Sequence, residues 1–129
     1  MADNIILVDT SILIDYFRKP DKTKSKLISL IRTGYRFQIS SITEYEIFAG
    51  STPTQQGFWE ELLKKTEVLS FNKGTAQIAV QLNSDLKVKR QQIAIADLFI
   101  AAIAIENNIP FATLNLKHFD RIAQLKIVT

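Results

Sequence analysis

"IILVDTSILIDYF" runs from Ile5 to Phe17 and changes character at Asp9. The four residues before Asp9 are apolar, mostly β-branched and without polar alternation. That is the pattern of a strand buried on both faces in a parallel sheet. The residues after it suit a helix that Thr10 or Ser11 can cap and that Pro20 closes. A buried strand that passes through one acid into a helix predicts an α/β protein.

The same alternation continues to the end of the chain. In "DKTKSKLISLIRTG", Leu27, Ile28, Leu30 and Ile31 fall on one helical face, and Gly34 stands where a C-terminal glycine belongs. "FQIS" (Phe37 to Ser40) predicts a short strand, and "SITEYEIFAG" predicts a helix ending at Gly50. "GFWEELLKKT" is amphipathic, "VLSF" (Val68 to Phe71) is another buried strand, and Asn72 can cap a helix through "AQIAVQLNSDLKVKR". "QQIAIADLFIAAIAIENN" adds a helix stopped by Asn107, Asn108 and Pro110, followed by "FATL" as a strand and "LKHFDRI" as a helical turn. "LKIV" (Leu125 to Val128) is the last edge strand. The expected fold is α/β: one domain over residues 1–129, with a central, mostly parallel sheet of about five strands flanked by helices on both faces.

Composition narrows the chemistry. A hydrophobic share of 47% with 22% charged residues belongs to a folded globular chain. With no cysteine there is no disulfide framework, thiolate zinc site or thiol nucleophile. The sole histidine, His118, has no nucleophile-elbow motif in company. The apolar run from Ile93 to Ile105 is 13 residues, whereas a membrane-spanning helix needs about 20. "MADNIILVDT" carries an acid where a leader needs positive charge. A cytoplasmic protein without a membrane segment is therefore expected. The net charge of +3 is a modest basic bias. If several of the 13 acids are gathered into one site, the rest of the surface is more basic than the total and suits a polyanion.

Three acids stand near element junctions, where open parallel sheets place their sites. Asp9 follows "IILV" directly, and its structural alternative is a helix N-cap. Glu46 lies one turn into the helix after "FQIS". Both "SITE" and "TEYE" match a capping box; a cap at Ser41 would make Glu44 the box partner and leave Glu46 deeper. Asp97 is the one polar residue between Ile93 and Ile105, with no Lys or Arg within a turn. A buried, unpaired carboxylate is costly, so pairing, protonation, metal coordination or a cap for a helix starting at Leu98 must account for it. Gathered in one cleft, the three would repel unless a hard divalent cation neutralised them. All-oxygen ligation suits Mg2+ or Mn2+, which can activate water against a phosphodiester.

At these residues the sequence resembles the PIN-domain ribonucleases, most closely the toxins of VapBC-type toxin–antitoxin pairs, over essentially the whole chain. "ILVDTSILIDYF" matches the opening block with Asp9, "ISSITEYEIFAG" the second with Glu46, and "ADLFIAAIAIENNIPFATLN" the third with Asp97. In the last block, "TLNLKHF", Thr113 matches while Asn115 and His118 stand where many relatives carry carboxylates. The resemblance implies that Asp9, Glu46 and Asp97 hold Mg2+ or Mn2+ for RNA cleavage, with one ion expected because the fourth acid is lost. Ser11, Thr113 and Asn115 support the site, Asn115 by orienting a water or ligand. It also implies a homodimer and a small VapB-like antitoxin partner. Arg18, Lys19, Lys87, Lys89 and Arg90 are candidate phosphate contacts, or else ordinary solvated helix faces. Tyr16, Phe17 and Trp59 are read as packing residues rather than base-stacking platforms.

Two other readings share this fold. A receiver-like phosphoacceptor domain would want a second acid beside Asp9 and a Lys after the last strand, where the sequence has Thr10 and Thr129. A non-catalytic PIN-like module binding RNA or a partner would have no reason to keep three repelling carboxylates.

Overall fold

The structure, a computed structural model, describes residues 4–129; Asp3, which bears on the reading of the leader, lies outside them. Strand β1 (Ile5–Val8) is central. Ile6, Leu7 and Val8 are all fully buried, with Leu7 entering one apolar layer and Ile6 and Val8 the other. An unbroken apolar run is what a strand covered on both faces requires. Strands β2 (Arg36–Ser40), β3 (Val68–Leu69) and β4 (Phe111–Ala112) complete a parallel sheet of order β3-β2-β1-β4. Ile6 lies opposite Phe37, Val8 opposite Ala112 and Ile39 opposite Val68.

Among the described residues the sheet has four strands where about five were expected. "LKIV" makes a single parallel bridge, Phe111 with Ile127, closed by the Phe111 amide to Lys126 O at 2.8 Å and the Val128 amide to Phe111 O at 2.8 Å. β4 is only two residues long, so its outer edge offers little ladder to a fifth strand. "VLSF" and "FATL" are likewise shortened, because Asn72 turns the chain into a helix and the Thr113 hydroxyl binds the Asn115 amide.

One face of the sheet is covered by α1 (Thr10–Arg18), α2 (Lys26–Arg32), α3 (Ser41–Ala49) and α4 (Pro53–Lys64). The other is covered by α5 (Lys73–Val88), α6 (Ile95–Glu106) and α7 (Leu116–Phe119). Trp59 is 2% exposed and packs with Phe17 and Phe58, Phe17 itself being half-buried, so these rings serve the core. α2 buries Leu27 and Leu30 but leaves Ile31 exposed. Gly34, at φ 104, takes the left-handed turn that ends it.

The caps differ from expectation. α1 is capped by Asp9, the N-cap role given as the alternative for that acid, and not by Thr10 or Ser11. α3 is capped by Ser40, whose hydroxyl accepts the Thr43 amide at 3.0 Å, so neither Ser41 nor Thr43 caps it. α6 begins at Ile95 with Ala94 before it, which puts Asp97 in its first turn rather than at its cap. The Ile93 to Ile105 run is also less enclosed than it reads. Ile95 is 67% exposed, and full burial is confined to Leu98 and Ile100 through Ala104.

Candidate active site

The chain runs from β1 outward through β2 to β3 and then crosses to β4 on the far side of β1. Such a reversal opens a crevice at the carboxyl ends of the strands. Asp9 lies there, 3% exposed. Its Oδ1 accepts from Ser11 Oγ at 2.6 Å and from the Ile12 amide at 3.3 Å, and its Oδ2 accepts from Thr113 Oγ1 at 2.6 Å. Ser11 Oγ accepts the Leu114 amide at 3.0 Å, and Thr113 Oγ1 accepts the Asn115 amide at 2.8 Å. The segments after β1 and β4 are thus stitched together through one carboxylate. Asp9 is both helix cap and site acid.

Burial raises the Asp9 carboxyl above its ordinary value. Hydrogen bonds from Ser11, Thr113 and Ile12 pull it back, and the charge of Asp97 pushes it up again. Burial thus outweighs the three donors and disfavours the charged form.

Glu46 reaches the same side through Thr10, the residue next to Asp9. Thr10 Oγ1 donates to Glu46 Oε1 at 2.6 Å and lies 3.1 Å from Thr43 Oγ1. Ser40 Oγ in turn lies 3.3 Å from Thr43 Oγ1. Thr10 and Thr43 were not among the expected site residues. The "DT" pair after β1 was the available signal, but only the crossing of α1 and α3 shows that its hydroxyl serves Glu46.

Asp97 is not the sealed acid that its neighbours suggest. Its side chain is 21% exposed, and Oδ2 stands 3.4 Å from His118 Nδ1. Asn115 is exposed and engages the site through its backbone. Arg18 and Lys19 line an open cleft of about 510 Å³ that Thr10, Ser11 and Leu114 also border. Lys19 is partly committed to Asp15 at 3.3 Å. Lys87, Lys89 and Arg90 are exposed at the end of α5 and in the turn after it, where Arg90 takes φ 54. None of the three borders that cleft.

Among the described residues, no three acidic or histidine side chains gather closely enough to enclose an ion by themselves. Mg2+ is commonly held through one or two carboxylates, with waters completing its shell. The interacting pair Asp9 and Asp97, one of them buried, fits that mode.

Comparison with known proteins places the fold in a family. The chain is 34% identical over 121 residues to ribonuclease VapC1 of Methanocaldococcus jannaschii, covering 92% of this chain and 82% of that one. It is 32% identical to a ribonuclease VapC of Rickettsia bellii, covering 96% and 95%. The crystal structure of VapBC2 from Rickettsia felis bound to a DNA fragment from their promoter superposes with a TM-score of 0.83 at 28% identity, covering 96% and 97%. A model of the PIN domain matches residues 6–125, a span that holds every acid of the crevice, and the chain belongs to that family.

Proposed function

We propose that the chain is an endoribonuclease that uses Mg2+ or Mn2+ and acts as the toxin of a VapBC-type pair. The observation that carries this reading is the buried Asp9, hydroxyl-bound on both oxygens and facing the charge of Asp97 at the carboxyl ends of β1 and β4. The ribonuclease names of the two relatives, at 34% and 32% identity, support the reaction class. Asp9 and Asp97 would hold the ion, with Glu46, fixed by Thr10, as the third acid on that side. When bound, the ion supplies a water activated for attack on phosphorus and relieves the charge on the phosphodiester.

The rest is done by the chain itself. Ser11 and Thr113 fix both Asp9 oxygens, so the carboxylate does not reorganise when substrate arrives. Thr10 fixes Glu46 in the same way. Asn115 offers a side-chain amide at the rim, and Arg18 with Lys19 offers cations along the adjoining cleft for RNA phosphates. Lys87, Lys89 and Arg90 are kept as outlying phosphate contacts.

The partner in this reading is a VapB-like antitoxin, as in the Rickettsia felis complex. A second copy of the chain is the other partner. Val80 and Ile95 are 71% and 67% exposed beside an apolar cleft of about 440 Å³ that Phe71 and Phe99 also line. Such a patch suits a protein interface.

The test maps RNA ends in bacteria expressing the wild type or the double variant Asp9→Asn, Asp97→Asn. New RNA termini and growth arrest with the wild type alone are expected. Identical RNA and growth profiles from both proteins at equal soluble levels would refute the assignment.

A further inference from the structure

His118 stands beside Asp97 in a way that ordinary packing does not account for. Its Nδ1 is buried and has no hydrogen-bond partner, although Asp97 Oδ2 is 3.4 Å away. Buried polar atoms in folded proteins nearly always have a partner. The backbone that carries the imidazole is also held in place, while the ring itself is 44% exposed. The His118 amide donates to Asn115 O at 3.1 Å, and the next residue, Phe119, is fully buried with its ring 4.6 Å from that of Phe111. Two donors bound to one ion, each at about 2.1 Å, stand roughly 3 Å apart. The spacing of Nδ1 and Oδ2 is close to that of neighbouring ligands, and neither atom is spent on the other.

We propose that His118 is a nitrogen ligand to the ion held by Asp97, making this a mixed nitrogen and oxygen site that selects Mn2+ over Mg2+. The inference rests on the metal-dependent reading above and sharpens it. Imidazole suits first-row transition ions, whereas Mg2+ keeps to oxygen and to its waters. The alternative geometry, a protonated imidazole paired with Asp97, would repel the ion instead of binding it.

The experiment uses the purified full-length chain with Mn2+ or Mg2+ alone. Dissociation constants come from calorimetry, and directly coordinated nitrogen is read from 14N modulation in pulsed electron paramagnetic resonance of bound Mn2+. Wild type is expected to bind Mn2+ at least about tenfold more tightly than Mg2+ and to show 14N modulation. His118→Ala should lose the modulation and most of the preference. His118→Asp should keep metal binding but lose the modulation, as an all-oxygen site. Mn2+ binding without 14N modulation in the wild type, or an unchanged Mn2+ to Mg2+ ratio in His118→Ala, would overturn the role of His118 and leave the nuclease reading standing. If the wild type binds neither ion, the metal-dependent reading fails, and the inference fails with it.

Discussion

Asp9 shows how one side chain can serve the fold and the site together, and its titration gives a test. Its folded carboxyl lies above the ordinary 3.8, so between those two values the folded state holds more protons than the unfolded one. The stability that this group contributes is complete below the ordinary value and is lost as pH rises through the raised one. Urea melts in EDTA across that interval should therefore show stability falling with pH from this group, and Asp9→Asn should remove that component. Thr10→Val tests the neighbouring contact. It deletes the hydroxyl that fixes Glu46, with an expected stability loss of about 1 kcal/mol and a fall in cleavage rate on the order of tenfold. Normal rates in a folded Thr10→Val protein would mean that Glu46 does not need to be held. Asp9, Glu46 and Asp97 could each be picked out from local pattern because each follows a recognisable block. Thr10 and Thr43 could not, because the hydroxyl contact depends on where α1 crosses α3.

At the scale of elements, two glycines make opposite predictions. Gly57 is interior to α4, and a Cβ added there meets nothing within 4 Å. Gly57→Ala should raise stability by about 0.5–1 kcal/mol. Gly34 takes φ 104, and its added Cβ meets only Asn4 Nδ2 at 4.0 Å, so backbone strain alone decides. Gly34→Ala should lower stability by about 1–2 kcal/mol; denaturant midpoints of the two variants check both signs. The helices and their order were legible from periodicity. Their first residues were less so, because Ser40 and Ser41, or Asp9 and Thr10, are equally able caps by residue type. The backbone path leaving each strand chose between them.

For the whole molecule, the expected consequence of the acidic crevice is linkage between metal and stability. Mn2+ at a hundredfold excess over its dissociation constant should raise the wild-type melting temperature by on the order of 10 °C. Asp97→Asn should respond weakly while being no less stable in EDTA, since one repulsion has gone. The apolar cleft beside Val80 and Ile95 predicts that Ile95→Asp shifts the chain from dimer to monomer in light scattering. A wild type that is already monomeric at micromolar concentration would remove the homodimer from the proposal. Among the described residues no helix is long and apolar enough to cross a membrane.

The sequence by itself determined the fold class and the parallel sense of the sheet, and it marked three acids as candidates, because unbroken β-branched runs, helical periodicity and junction residues are local properties of the chain. Tertiary structure decided the strand count, since a fifth strand needs an edge longer than the two residues of β4. It decided that Asp97 heads a helix at the rim of the crevice and faces His118, 21 positions away in the chain. It also decided that the hydroxyls of Ser11, in the helix after β1, and Thr113, just after β4, close on one carboxylate. Distances between residues far apart in sequence follow from how the layers pack, and no local pattern carries that information.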